Sequence, residues 1–182
     1  MMFARTKRLT LRPGWPEDAP ALHAAIAHED VVMKLAKVPW PYTLADAAWF
    51  LGLERDAATA QFVICDHEAG APRVIGTIGI HREGEACVFG YWLTPSAWGR
   101  GYATEAGRAV LDIARHALPI RRLNASYFVD NPASGRVLRK LGFRETGRTV
   151  SMRTLARREP VEAVLVECDL DDQDRPAASI AA

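Results

Sequence analysis

Apolar residues recur along this chain at two spacings, and the switches between them divide it into helices and strands. Arg8-Leu-Thr-Leu-Arg12 alternates with period two, which predicts an edge or half-buried strand ended by Pro13-Gly14. Helical spacing follows: Ala21, Leu22, Ala25 and Ile26 come after the acids Glu17 and Asp18 and run to an expected break at Glu29-Asp30. Val31 to Leu35 reads as a second helical piece, and Pro39-Trp-Pro-Tyr42 as an extended aromatic turn. Thr43 and Asp46 have capping-box spacing, with Ala47, Phe50, Leu51 and Leu53 marking the buried side of the helix they open.

From Gln61 the period returns to two. Strands are predicted over Gln61 to Asp66, Arg73 to His81 and Glu85 to Leu93, with turns at Glu68 to Pro72 and Glu83-Gly84, an antiparallel meander. Thr94-Pro-Ser96 stops the last strand, and Tyr102 to Ala117 is helical by its spacing. Arg122 to Val129 reads as a strand, which runs parallel to its predecessor if that helix crosses over between them. Asn131 then stands as N-cap with Pro132 in the first helical position, and Leu141-Gly-Phe143 closes the helix. Two final strands, about Gly147 to Leu155 and Val161 to Leu170, flank a basic hairpin at Ala156 to Pro160, and the polar tail from Asp171 is expected to be disordered. The pattern implies a mixed α/β fold with a largely antiparallel central sheet, one parallel pair and helices on both faces, in a single domain over residues 1–170.

Composition narrows the picture without changing it. At 182 residues, about half of them apolar, the chain is long enough for a full core. Lysine and arginine number 23 against 22 acids, which argues against an extended nucleic-acid face and leaves Arg121-Arg122 and Arg157-Arg158 as solvated element ends. Cys65, Cys87 and Cys168 are odd in number and lack metal or disulfide spacing, so no metal site is expected and they read as buried thiols. No apolar run reaches the roughly 20 residues of a membrane span, and no signal-peptide core precedes the first strand, so the expected location is the cytoplasm.

The candidate chemistry lies where a strand becomes a helix. In Trp98-Gly-Arg-Gly-Tyr-Ala-Thr104, Gly99 and Gly101 permit positive φ and close approach of a ligand to backbone N–H groups at a helix N-terminus. Such an end carries roughly half a positive charge, so the loop suits phosphate, and Arg100 adds a screened charge. A glycine loop at the carboxyl end of a strand that opens a crossover helix is also where α/β sheets bind ligands.

Four motifs in order, Arg8-Leu-Thr-Leu-Arg-Pro13, Gly90-Tyr-Trp-Leu93, Trp98 to Ala106, and Asn131-Pro-Ala-Ser134 followed by Leu141-Gly-Phe143, resemble the GNAT acyltransferase superfamily, in particular its ribosomal-protein N-terminal acetyltransferase branch. The resemblance covers nearly the whole chain to about Leu170. It implies an acetyl-CoA-dependent N-acetyltransferase acting on a primary amine, either a protein N-terminus or a small molecule, as a monomer or homodimer. It also implies that Trp98, Gly99, Arg100, Gly101, Tyr102, Ala103 and Thr104 cradle the coenzyme A pyrophosphate. The strand matching Phe89 to Leu93 then splays from its neighbour so that Tyr91, Trp92 and Leu93 meet the pantetheine arm, with Asn131 and Ser134 beside it. Many superfamily members carry a tyrosine acid at the position of Leu138; in the branch resembled, the acid carries over onto Ser134.

Direct attack by a positioned amine gains up to roughly 7–11 kcal/mol from proximity, so no covalent catalyst is required. Backbone N–H groups around Tyr91 to Leu93 suit the developing negative charge on the thioester oxygen. His81, Glu83 and Glu85 near a strand end, and Glu105 in the first turn after the glycine loop, are the base candidates. Each also has a structural reading: Glu105 as an acid favoured by the helix dipole, His81 as a solvated side chain, and Ser134 as a first-turn serine satisfying backbone donors. Trp40, Tyr42, Trp49 and Phe50 suit either the wall of an acceptor pocket or the core. The absence of the tyrosine leaves a second class open, a catalytically inactive acyl-CoA-binding sensor or interaction module.

Overall fold

The computed structural model describes residues 2–54, 59–68 and 70–171. In chain order its elements are β1 (Ala4–Arg5), β2 (Leu9–Arg12), α1 (Ala19–Ile26), α2 (Glu29–Val32), α3 (Leu44–Gly52), β3 (Ala60–Asp66), β4 (Arg73–Glu83), β5 (Ala86–Leu93), α4 (Tyr102–Ala117), β6 (Arg122–Phe128), α5 (Pro132–Lys140), β7 (Arg144–Met152) and β8 (Val161–Asp169). They form one eight-stranded sheet in the order β1-β2-β3-β4-β5-β6-β8-β7. Every neighbouring pair is antiparallel except β5 and β6, which are parallel and register only at Val88 opposite Asn124. Beyond that point the two strands diverge. The expected mixed sheet with one splayed parallel pair is therefore the fold observed.

Alternation along the strands builds a core on each face. Phe62 and Ile64 of β3 and Phe89 of β5 face α4 and α5, where Ala106, Val110, Leu111, Leu138 and Leu141 close the larger core. Val63 and Cys65 face the opposite layer, where Leu22, Ile26, Val32, Ala47 and Leu51 of α1 to α3 meet Tyr42 and Trp92. A third, smaller cluster of Phe128, Val161 and Ala163 sits on the second face in the β6–β8 half, with Ala36 against it. Because β5 side chains alternate, Tyr91 and Trp92 belong to different layers, and each end of the site inherits a different neighbourhood.

Several boundaries move from expectation. β1 was not expected; it is a two-residue edge added to β2. Glu29 and Asp30 do not break a helix but form the first turn of α2, where acids suit the helix dipole, and the piece ends at Val32. Thr43 and Asp46 do make the capping box, but Leu53 falls outside α3 as an exposed cap residue. β7 starts at Arg144 rather than Gly147, with an irregular register between Glu145 and Thr149. Of the tail expected to be disordered from Asp171, Asp171 itself is described, with its carboxylate 4.0 Å from the Arg121 guanidinium; the remainder lies outside the described residues.

Candidate functional site

The glycine loop sits at the carboxyl end of β5, with Gly99 at φ +72° and Gly101 at φ +80°. A Cβ at Gly99 would meet nothing within 4 Å, and one at Gly101 only Arg8 Nη2 at 3.6 Å, so positive φ rather than crowding calls for glycine here. No backbone carbonyl among the described residues accepts from the N–H groups of Gly99 to Thr104, whereas Trp98 donates to Pro95 O and Glu105 to Gly101 O. Six donors thus gather at the start of a sixteen-residue helix. These residues fit a phosphate-bearing ligand such as coenzyme A. The Trp98 indole N–H donates to Leu93 O at 2.8 Å, and Lys34 Nζ lies 4.3 Å from the ring centroid, so Trp98 ties the loop to β5 and to the residues after α2.

Behind the loop stands a charge lattice that has no local signature in the sequence. Tyr102 is fully buried and donates its hydroxyl proton to Glu68 and, at 3.3 Å, to Asp66. The guanidinium carbons of Arg8 and Arg100 lie 4.5 and 4.8 Å from its ring centroid. Burial and then the Glu68 carboxylate push its phenol up to about 12, so it stays a neutral donor. Arg100 pairs with Glu68 at 3.1 Å rather than standing free over the loop. Arg8 pairs with Glu105 at 2.7 Å, and Glu105 also accepts from Thr6 Oγ1 at 2.6 Å and Arg8 N–H at 2.9 Å. Burial pushes the Glu105 carboxyl up, but the donors from Thr6 and Arg8 outweigh it and hold the group below the ordinary carboxylate range. A carboxylate held ionised by three donors is a poor proton acceptor. The geometry gives Glu105 a bracing part in this lattice.

At the splay, the bond from Thr94 N–H to Ile75 O sets the phase of the β4–β5 ladder. Trp92 and Gly90 therefore turn their backbone groups to β4, while Phe89, Tyr91 and Leu93 turn theirs toward the opening beside β6. Trp92, expected at the ligand, instead packs its side chain into the α1–α3 layer and uses its N–H within the sheet. The Tyr91 side chain crosses to the α4–α5 layer, where its hydroxyl donates to Ser134 Oγ at 3.1 Å. Burial raises the Tyr91 phenol, with the Ser134 contact partly offsetting the shift. Ser134 lies in the first turn of α5, and its N–H donates to Asn131 O at 3.1 Å. Asn131 occupies the N-cap position, yet its side chain makes no capping bond, which leaves the amide for other use. Leu138, one turn on, is buried in the core and carries no acid.

The remaining candidates gather on the other face. His81 pairs across the sheet with Val88, the β5 residue of the one registered β5–β6 pair, and its Nε2 lies 3.0 Å from Glu83 Oε1, which also receives Lys37 Nζ at 2.5 Å. Those donors, Lys37 foremost, hold the Glu83 carboxyl below its ordinary value. Glu85 is exposed in the turn beside them. Of the four aromatics, Tyr42 is core and Phe50 half-buried, while Trp40 and Trp49 are exposed. Arg157, expected in solvent, instead anchors a bridge: its guanidinium donates to Met33 O and to Asp130 Oδ2 at 2.6 Å, and Leu155 N–H reaches Ala36 O at 3.1 Å. This bridge joins the loop after α2 to the β7–β8 connection across the splay. Among the described residues no group of three or more histidine, cysteine, aspartate or glutamate side chains is arranged for a metal, and no helix is long and apolar enough to cross a membrane.

Residues 8–144 match the acetyltransferase (GNAT) domain family. The chain is similar to YoaA of Bacillus subtilis, an N-acetyltransferase, with 28% identity over 150 residues covering 78% of this chain and 82% of that one. Its fold is shared with RimL, a ribosomal L7/L12 α-N-protein acetyltransferase solved with coenzyme A, at a TM-score of 0.79 and 19% identity over 93% of this chain and 99% of that one. It is shared too with the spermidine N-acetyltransferase of Vibrio cholerae solved with coenzyme A and spermine, at a TM-score of 0.73 and 18% identity over 91% and 98% of the two chains.

Proposed function

The chain belongs to the GNAT acetyltransferase family, and from that premise we propose that it is an acetyl-CoA-dependent N-acetyltransferase that moves the acetyl group to a primary amine by direct attack in a ternary complex. The observation that carries this reading is the single registered pair between β5 and β6, beyond which the strands diverge beside a loop of six open backbone donors. In this reading the N–H groups of residues 99–104 hold the diphosphate, and the edge of Tyr91 and Leu93 holds the pantetheine arm as a strand would. When bound, acetyl-CoA supplies the activated acyl thioester. The N–H groups facing the opening are suited to the oxygen on which negative charge develops. Ser134 on one face and His81 on the other suit a reaction in which sulfur leaves on the α5 side and the amine enters on the α1–α3 side. The Arg157 bridge over that entrance favours an amine on a small molecule or an extended chain end. Residues 1–170 act in this reading as one domain.

The test is acceptor-dependent release of thiol from acetyl-CoA, across peptides with free N-termini and small primary amines. Release that needs both acetyl-CoA and one acceptor class supports the enzyme and names its substrate. Tight coenzyme A binding with no release across that panel would instead favour the acyl-CoA sensor.

A further inference from the structure

The contact between Tyr91 and Ser134 joins two residues 43 positions apart, one on the strand that lines the splay and one on the helix beside it. Both hydroxyls are part-buried, and the Tyr91 ring is fixed against Phe89 at 6.1 Å between centroids. A phenol is the stronger acid of the two, so it is the better donor, and the serine oxygen accepts from it. The serine proton is then the one left to choose a direction. Among the described residues it meets no acceptor, since Ser134 is otherwise engaged only through its backbone.

We propose that Tyr91 is a positioning residue for the leaving thiolate: by donating to Ser134 Oγ it directs the Ser134 O–H into the splay, where that proton hydrogen-bonds the departing sulfur. The inference rests on the coenzyme site proposed above. It makes the two hydroxyls one unit that takes over from the tyrosine absent at Leu138.

Acidities decide what this pair does. An ordinary thiol ionises near pH 8.5 and a phenol near 10, and burial raises Tyr91 further. Moving the phenol proton through serine to sulfur would therefore run uphill, and a serine alkoxide would be worse still. The pair stays protonated and acts by hydrogen bonding. As the carbon–sulfur bond breaks, its electron pair goes to sulfur. The Ser134 O–H shortens onto that charge, and the Tyr91 O–H shortens onto the serine oxygen that has become more negative, each bond reinforcing the next. The proton that finally makes the free thiol comes from solvent, matching the one lost from the acceptor nitrogen to solvent.

The probe is coenzyme A itself, bound to the full chain, with thiolate read by its ultraviolet absorbance against pH. In the wild type the bound thiol should ionise more easily than free coenzyme A. Tyr91→Phe keeps the ring and its packing, and should lose part of that advantage; Ser134→Ala should lose all of it, and the double variant should match Ser134→Ala. Ser134→Thr, which keeps the hydroxyl, should retain the dependence on Tyr91. Turnover with an active acceptor should fall about tenfold in Tyr91→Phe, the upper scale of one net hydrogen bond between neutral groups, with KM for acetyl-CoA little changed. A Tyr91→Phe thiol that titrates as in the wild type, or an effect of Tyr91→Phe that persists in the Ser134→Ala background, overturns the inference while the coenzyme site stands. A wild-type chain that does not bind coenzyme A overturns both.

Discussion

At the loop end of the cleft, one buried tyrosine is held between two guanidinium groups and two carboxylates, and a third carboxylate locks one of those guanidiniums in place. At the splay, two neutral hydroxyls touch each other, and among the described residues nothing charged is bonded to either. In the proposed reading the contrast follows from what each end would handle. A phosphate brings its charge with it, so the loop needs a rigid frame that keeps donors aimed. The reacting centre develops charge only in passing, and preorganised neutral dipoles in a partly dry site serve it without attracting counterions. Substitutions at the first end should therefore act on binding and stability, and substitutions at the second on rate.

The largest effect should come from Gly101→Glu. At φ +80° any side chain is strained by roughly 1–3 kcal/mol, and the new carboxylate adds negative charge to the loop whose donors the diphosphate would use. Coenzyme A affinity should fall by about 100-fold, about 2.7 kcal/mol, with the circular dichroism of a folded chain retained. Calorimetry decides it, and unchanged affinity in a folded variant moves the phosphate site elsewhere. Ser134→Ala comes next. It should lower kcat by about 10- to 100-fold, within or just below the range of positioned acid groups, and lower kcat/KM with it while coenzyme A affinity holds. Normal kcat with a lowered melting temperature would leave Ser134 a helix-end residue and erase the contrast between the two ends.

These two regions also differ in how much of them could be read from the sequence. The loop was legible because its requirement is local: two glycines, a strand before, an amphipathic helix after. So were the N-cap at Thr43 and the helix span from Tyr102 to Ala117, which short-range patterns set. The lattice behind the loop was not legible, because Arg8 and Glu105 meet across 97 positions and Glu68 joins Arg100 only when β3 is placed beside the loop. Tyr91 was expected to serve through its backbone; its hydroxyl became visible only when alternation along β5 and the docking of α5 brought it to Ser134. Arg157 was expected in solvent for the same reason, since its carbonyl partner lies 124 positions away.

A smaller effect, on stability rather than rate, should follow Glu105→Gln. The amide keeps some hydrogen bonding to Thr6 and Arg8 but loses the charge, at a cost of about 1–2 kcal/mol for a part-buried pair. The carboxyl is held below its ordinary value in the folded chain, so its contribution is complete above the unfolded pKa and is lost as pH falls through the folded one. Melting of wild type and variant compared from neutral pH downward should show the gap closing only in the acid range. A constant gap would mean that Glu105 contributes by shape. A large loss of kcat with unchanged stability would restore it as a base.

The smallest effect should be that of His81→Gln, which probes whether the face opposite Ser134 holds a second chemical group. A general base is typically worth about 100-fold or more, so its removal is easy to see. His81 is near the splay through its pairing with Val88, but its side chain is 43% exposed and turned to Glu83, itself bonded to Lys37. An imidazole in that setting is held by a neighbouring carboxylate and open to water, and an acceptor that arrives neutral needs no base before attack. Turnover should change by less than about threefold, a fraction of what a working base would contribute, and the acid limb of the kcat/KM profile should keep its midpoint. That midpoint would then belong to the acceptor amine, and should follow the amine's own pKa when acceptors of different basicity are compared. A loss near 100-fold with a displaced midpoint would instead make His81 the base and give the neutral end of the cleft a titrating partner across the sheet.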